Sequence, residues 1–429
     1  MSAPLSLAAY RLVTRTLGPL TGPLLSWRLA RGKEDPERIA ERRGAPGRAR
    51  PDGALVWLHG ASVGEAFSLL PLVERLTRTG RNVLITTGTV TSAALLAERL
   101  PPGAFHQFVP LDAPQFMRRF VAHWRPDVVL IAESELWPNL IVEAARSGAP
   151  IILVNARLSA RSFRRWRRLP GFIGALLRRV ALVLAQSEGD RERFAALGAP
   201  QARFVGNLKY DAPAPPVDRR ALAFLQGRLS GRQVWIAAST HDGEEAIAGA
   251  AHRRLAQTFP DLLTLIAPRH PGRGAAIAAE LAGQGLACAL RSTGAQPGPE
   301  TAVYICDTMG ELGLFYRLAG VVFVGKSLVA GGGQNPIEPA KLASAILHGP
   351  QVANFADVYG LLDAAGGALA VTDAAALAEA LAALFADSAR LRAMARAAGD
   401  VVESQTGALD RMLLALAPYL PAPALEPAA

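Results

Sequence analysis

The sequence predicts an α/β protein made of two parallel-sheet domains. Three observations carry that prediction. Short apolar runs with β-branched residues recur along the chain and suit strands buried on both faces. Stretches with apolar residues at helical spacing lie between them, so strands and helices alternate. The alternation stops once, at Ala212-Pro213-Ala214-Pro215-Pro216, and then restarts. A Pro-rich stretch of this kind reads as an extended interdomain linker. At 429 residues the chain is also too long for one ordinary core.

Taken in order, the N-terminus is apolar but interrupted by Arg11 and Arg15 and punctuated by Pro19, Gly22 and Pro23. The uncharged run from Thr16 to Trp27 is too short to span a bilayer, which needs about 20 residues. Two readings stay open: an interfacial anchor with Trp27 and Arg28 near the headgroups, or a soluble helix packed on the body. Nothing resembles a secretory signal peptide. Residues 28–53, rich in Arg, Gly and Pro, are expected to form an exposed connector.

Leu55 to Leu58 predicts the first strand, Gly60, Ser62 and Gly64 a turn, and Phe67, Leu70 and Val73 to Leu76 a helix. Glu65 falls where turn becomes helix, beside the carboxyl end of the strand, where open α/β sheets bind ligands. A carboxylate among glycines that admit a substrate is a candidate general base. It is equally a first-turn acid favoured by the helix dipole. Further strands are expected at Asn82–Thr86, His106–Pro110, Asp127–Ala132, Pro150–Asn155, Val180–Ala185 and Arg203–Val205, with a helix over Pro114–His123. Beyond the linker, strands are expected at Val234–Ala238, Leu262–Ala267, Val303–Cys306, Val321–Val324 and Ile346–His348. A flexible Gly-rich loop is expected from Ala330 to Gln334, and a helical tail from Ala374 to Leu420.

Half the residues are hydrophobic, which excludes a disordered chain. Two cysteines, Cys288 and Cys306, give neither a disulfide framework nor a CxxC pair. A net charge of +10 favours anionic partners: nucleic acid, acidic lipid or phosphorylated ligands.

Nearly every polar cluster follows a strand, which puts these clusters on one edge of each sheet. If the two sheets face each other, the clusters line one cleft. In the second half, the turns at Met309-Gly310-Glu311 and Ser239–Glu245 start helices whose free N–H groups suit a phosphate. Arg269 can add a forked contact to it. Gly331 to Gly333 let backbone approach a ligand, and Glu338 can accept from a ribose diol. Together they describe a nucleotide pocket, although each turn alone is more often a plain helix start. No strand–helix junction carries G-x-G-x-x-G, and no P-loop is present. His59, His106, His241 and His270 are not at metal-ligand spacing, which leaves metal-independent group transfer. Arg157 to Arg179 holds Arg161, Arg164, Arg165, Arg167 and Arg168 with Phe163, Trp166 and Phe172 interleaved and no acid. It suits an anionic membrane or phosphorylated lipid, nucleic acid, or a solvated basic helix face.

Eight stretches in order resemble one family: Trp57–Glu65, Glu133–Asn139, Asn155–Ser159, Gly206–Asp211, Ser239–Glu245, Pro268–Pro271, Asp307–Glu311 and Gly332–Glu338. They are similar to 3-deoxy-D-manno-octulosonic acid (Kdo) transferases of lipid A assembly, from about residue 10 to 420. The resemblance implies a GT-B glycosyltransferase fold, two Rossmann-like domains facing across a cleft. It implies a membrane-associating segment over 1–30, an acceptor-binding domain over 31–211 and a linker over 212–217. A CMP-Kdo-binding domain over 218–404 and a returning C-terminal helix and tail over 405–429 complete it. The donor would be CMP-Kdo and the acceptor lipid IVA, with inversion, no metal and no cofactor, on the cytoplasmic face of a bacterial inner membrane. Nucleic acid is then not an expected partner.

By the same resemblance Glu65 is the general base, and Glu133 and Lys209 stabilise the transition state. Pro268, Arg269, Met309, Gly310, Glu311, Asn335, Pro336, Ile337 and Glu338 contact CMP. Gly60-Ala61, Lys326 and Gln334 depart from the family pattern. Lys326 would alter donor-side electrostatics, and Gly60-Ala61 acceptor fit. The rivals are a GT-B enzyme using a UDP- or GDP-sugar and a basic, non-catalytic nucleic-acid-binding protein.

Overall fold

The structure, a computed structural model, describes residues 4–329 and 331–422. Ala330 of the expected Gly-rich loop, and residues 1–3 and 423–429 of the terminal segments, lie outside the described residues. The chain divides into two compact units: Met1–Ala212 with Thr406–Ala429, and Pro213–Gln405.

The first unit holds a seven-stranded sheet of β1 (Leu55–His59), β2 (Asn82–Thr87), β3 (Ala104–Phe108), β4 (Val128–Ala132), β5 (Ile151–Ala156), β6 (Val180–Ala185) and β7 (Ala202–Phe204). Their order is β3-β2-β1-β4-β5-β6-β7, and every pairing is parallel. Successive residues of β1 serve opposite cores: Leu55 and Trp57 pack on one face, Val56 and Leu58 on the other. Burial on both faces is why these strands read as unbroken apolar runs. The expected His106–Pro110 strand lies two residues earlier, as β3.

Helices α1 (Leu5–Thr16), α2 (Thr21–Leu29), α3 (Val63–Thr77), α4 (Val90–Arg99), α5 (Pro114–Trp124), α6 (Pro138–Arg146), α7 (Ala160–Trp166), α8 (Pro170–Leu177) and α9 (Glu188–Ala196) belong to this unit. The chain's last described helix, Ala408–Leu416, packs Ala408, Met412 and Leu416 into the core that α3 covers. Asp211 fixes its start by accepting from Gly407 N at 2.6 Å and Leu409 N at 2.7 Å.

Residues 28–53 are not the exposed connector expected from their composition. Glu34, Glu41 and Arg42 are buried. Arg42 Nε donates to Glu34 Oε2 at 2.7 Å and Nη1 to Val109 O at 3.1 Å. Glu41 Oε2 accepts from Phe108 N at 2.7 Å. Composition misleads here because charged side chains are buried readily once each is paired.

The second unit repeats the architecture with β8 (Val234–Thr240), β9 (Leu263–Pro268), β10 (Cys288–Leu290), β11 (Val303–Ile305), β12 (Val321–Val324), β13 (Ala345–His348) and β14 (Ala368–Ala370). The parallel order is β10-β11-β9-β8-β12-β13-β14. β10 and β14 have no counterpart in the sequence reading. Each is three residues of mostly small side chains at a sheet edge, too short to show a period. Helices α10 (Arg219–Arg228), α11 (Glu244–Leu255), α12 (Gly274–Gly283), α13 (Leu312–Leu318), α14 (Ile337–Lys341), α15 (Ala356–Ala364), α16 (Ala374–Ala386) and α17 (Ser388–Ser404) complete it. The expected helical tail consists of three helices. Asp387, which caps α17 by accepting from Ala389 N and Arg390 N, and Gly407, in left-handed conformation, mark its breaks.

Candidate active site

In each sheet the connections run in opposite directions from one central pair, β1 and β4 in the first unit and β8 and β12 in the second. Such a switch point opens a crevice at the carboxyl ends of the strands. Glu65 and Glu133 follow β1 and β4, and Asn335 to Glu338 come after β12; Arg269, Met309 to Glu311 and Lys209 follow strands further out in the sheets.

In the first unit, Ser62 caps α3 and Glu65 completes a capping box. Ser62 Oγ accepts from Glu65 N at 3.3 Å and donates to Glu65 Oε1 at 2.8 Å. Ala61 N donates to Glu65 Oε2 at 2.6 Å. The plain helix-start reading of Glu65 is thus structurally true. It does not exhaust the group, because a carboxylate has about four lone-pair sites and these bonds use two. Burial pushes the Glu65 carboxyl above its ordinary range, with the Glu133 charge adding to the rise and the local hydrogen bonds opposing it.

Glu133 follows β4 with φ of 48°, in the left-handed region. Lys209 comes from the 3-10 turn Leu208–Tyr210. Its Nζ donates to Glu133 Oε1 at 3.2 Å. The buried side chain of Asn155 positions this turn by accepting from Leu208 N at 3.0 Å. The structure therefore brings Glu65, Glu133 and Lys209 to one end of the first sheet.

Two further groups lie here to which the sequence reading gave no role. Glu135 is pushed up to about 7 by burial first and then by Glu65 and Glu133, against a hydrogen bond from Trp137. That bond runs from Trp137 Nε1 to Glu135 Oε2 at 2.7 Å. The available signal was its place two residues beyond Glu133, on the same strand-to-helix connection. His59 ends β1, fully buried beside Trp137, and burial lowers its pKa to about 4, so it is neutral.

In the second unit, Arg269 follows β9 and is exposed, with no ion pair among the described residues. His241, His270 and Lys326 lie near it. Burial lowers the His241 pKa, and the charges of Lys326, His270 and Arg269 act in the same direction. Gln334 Nε2 meets His241 Nε2 at 3.2 Å.

In the Ser239–Glu245 turn the two acids are buried and engaged by neighbouring groups. Glu244 accepts from His241 N at 2.9 Å, Lys326 N at 2.7 Å, Ser327 N at 2.9 Å and Leu328 N at 3.0 Å. Glu245 Oε1 accepts from Thr240 Oγ1 at 2.8 Å and Arg273 Nη1 at 2.7 Å.

Met309 is exposed and Gly310 has φ of 81°. The Glu311 carboxylate is already engaged by Arg291, at 2.6 and 3.1 Å, and by Thr308 Oγ1. Those bonds hold its pKa below the ordinary value. Asn335 Oδ1 accepts from Ile337 N at 3.1 Å, and Asn335 Nδ2 donates to Glu338 Oε1 at 3.3 Å. Burial raises the Glu338 pKa against that bond and the charges of Lys341 and Arg269.

The described part of the expected flexible loop is pinned. Gly333 N donates to Lys326 O at 2.7 Å, Gln334 N to Gly325 O at 3.1 Å and Asn354 N to Gly332 O at 2.7 Å. Gly332 and Gly333 supply close approach: a Cβ on either would meet Asn354 at 2.4 Å or Val352 at 3.1 Å. Among the described residues, no group of three or more His, Cys, Asp or Glu side chains could hold a metal ion.

Arg161, Arg164, Arg165, Arg167 and Arg168 on and after α7 are all exposed. The interleaved aromatics differ from expectation: Phe163, Trp166 and Phe172 pack against the core, with Trp166 stacked on Phe172 at 6.1 Å. Bases therefore have no row of outward rings to stack on. Leu7 of α1 is fully buried, whereas Leu5, Leu12, Val13, Leu17, Leu20, Leu24 and Trp27 are exposed. The segment thus packs one face on the body, as the second N-terminal reading expects, and leaves apolar residues exposed on the rest. No helix among the described residues is long and apolar enough to cross a membrane.

The family described as 3-Deoxy-D-manno-octulosonic-acid transferase (kdotransferase) matches residues 37–212. The chain is 36% identical over 391 residues to 3-deoxy-D-manno-octulosonic acid transferase of Haemophilus influenzae, covering 90% of this chain and 92% of that one. It is 38% identical over 431 residues to the same-named protein of Bordetella pertussis, covering 96% and 99%. Among solved structures, a glycosyltransferase from Rickettsia africae superposes with a TM-score of 0.60 at 13% identity, over 86% of this chain and 98% of that one. That likeness concerns the fold alone.

Proposed function

The chain belongs to the 3-deoxy-D-manno-octulosonic acid transferase family, and we propose that it moves Kdo from CMP-Kdo to a hydroxyl of lipid IVA, with inversion and without a metal. Membership in a glycosyltransferase family replaces the non-catalytic nucleic-acid reading. One observation carries the mechanism: Glu65, Glu133 and Lys209 meet at the switch point of the first sheet, with Lys209 Nζ 3.2 Å from Glu133. Glu65 takes the proton of the acceptor hydroxyl while its oxygen bonds to the anomeric carbon and the bond to CMP breaks. A carboxylate of raised pKa is the stronger base. Glu133 steadies the positive charge developing on the sugar, and Lys209 meets the sugar carboxylate or the departing phosphate.

Pro268-Arg269, Met309–Glu311 and Asn335–Glu338 hold CMP. Because Arg291 and Thr308 occupy the Glu311 side chain, Met309 and Gly310 serve through backbone. Glu338 accepts from ribose hydroxyls. Arg161, Arg164, Arg165, Arg167 and Arg168 dock on an anionic inner-membrane surface on its cytoplasmic side, with the exposed leucines of α1 and α2 in the interface.

The test is CMP release from CMP-Kdo, with and without lipid IVA, for wild type and Glu65→Gln. Acceptor-dependent release that disappears in the variant supports both the reaction and its base. Full turnover by the variant removes Glu65 from that role. No release with competent acceptor present would redirect the search to UDP- and GDP-sugars.

A further inference from the structure

A second basic feature stands apart from the carboxylate cluster. Leu7, Arg11, Val142, Ala145, Arg146 and Arg179 line a pocket of about 210 Å³ in the first unit. Arg146 ends α6, and Arg179 directly precedes β6. The pocket therefore lies at the edge where strands begin, whereas Glu65 and Glu133 follow strands and lie at the other edge. Nothing in the transfer reaction uses it.

Its arginines outnumber their acids. Arg11 is fixed by donating from Nη2 to Glu143 Oε1 at 2.5 Å and from Nη1 to Asn139 Oδ1 at 3.2 Å. Arg146 Nη1 donates to the same Glu143 oxygen at 2.9 Å, and Arg118 Nε reaches Glu143 Oε2 at 3.5 Å. One carboxylate thus serves three guanidinium groups. Arg179 donates from Nη1 to Ala175 O and has no acidic partner among the described residues. Three arginines line the concavity and share one carboxylate, which leaves two positive charges uncompensated there. Burial first, and then Arg11, Arg178 and Arg146, lower the Arg179 pKa, the mark of a cation among cations.

We propose that this pocket binds a phosphate monoester or diester. Guanidinium forks match phosphate oxygens, and an anion there relieves the mutual repulsion of Arg11, Arg146 and Arg179. Apolar Leu7, Val142 and Ala145 complete the lining and suit the ester carbons. The lipid headgroup is the favoured source, because α1, which contributes Leu7 and Arg11, also exposes Leu5, Leu12 and Val13. The site does not rest on the Kdo-transfer reading.

The test compares wild type, Arg146→Gln/Arg179→Gln, and a charge-matched control, Arg390→Gln/Arg392→Gln, on exposed positions of α17. Inorganic phosphate should raise the melting temperature of wild type and control above that in chloride at equal ionic strength. The pocket variant should lose that rise. Partition onto phosphatidylglycerol vesicles should fall roughly tenfold or more for the pocket variant relative to the control, at about fivefold per basic side chain near an anionic surface. Lost phosphate protection with unchanged vesicle partition identifies a soluble phosphoester as the ligand and supports the site. A vesicle defect without a phosphate effect supports it with lipid as the ligand. If the pocket variant equals the control in both measurements, the proposal is overturned.

Discussion

Around the switch point of the first sheet acids predominate, with Lys209 paired to one of them; around that of the second the more exposed groups are cations. Glu65, Glu133 and Glu135 gather after β1 and β4, and their mutual repulsion adds to burial in raising Glu65 and Glu135. His241, Arg269, His270 and Lys326 gather after β8, β9 and β12, where burial and then like charges pull His241 down. The backbone device is shared. Glu133 (φ 48°) and Asn155 (φ 49°) in one unit, and Ser239 (φ 54°) and Lys326 (φ 59°) in the other, turn through the left-handed region near strand ends. One scaffold thus carries two differently charged strand ends, and the difference lies in the loops. Two acids of the second unit, Glu244 and Glu245, are buried and engaged in holding its loops.

The most severe way to break this contrast is Glu65→Gln. Transfer should fall about 10²–10⁴-fold, the usual span of a lost general base, while CMP titrations stay at wild-type affinity. A parallel loss of CMP binding would show that the two edges do not divide the work. Next in size is a pair of alanine variants read by urea unfolding. Glu244→Ala strands four backbone donors and should cost about 3 kcal/mol. Glu65→Ala loses only its part of a helix cap and should cost about 1 kcal/mol. Equal losses would mean that both acids are structural.

Arg269→Ala should weaken CMP-Kdo binding by roughly 1.5–3 kcal/mol, the range for a charged hydrogen bond. Unchanged affinity by calorimetry would take Arg269 out of the donor pocket. The smallest effect concerns Glu135, raised from an ordinary 4.5 to about 7. A carboxyl with a raised folded pKa binds more protons folded than unfolded. Its stabilisation is complete below 4.5 and is lost as pH rises toward 7. Relative to Glu135→Gln, wild type should lose about 2 kcal/mol over that window. Parallel pH–stability curves for the two proteins would show that Glu135 is not perturbed by its neighbours.

The sequence by itself determined the two βα sheets, the placement of each polar motif after a strand, and the family, because apolar period and turn residues are local properties of a short segment. Leu55–His59 is buried on both faces and its own composition says so. Only the tertiary structure decided which charges meet. Glu133 and Lys209 are separated by 76 positions and pair at 3.2 Å. Arg291 takes the carboxylate of Glu311 from 20 positions away. Glu34 and Arg42 become a buried pair in a stretch whose composition reads as solvent-exposed. Glu135 acquires its altered acidity from burial and then from Glu65, a residue of another strand's turn. A segment's pattern records which of its faces is dry, whereas Coulomb energy and desolvation depend on distances between segments, and those exist only once the chain has folded.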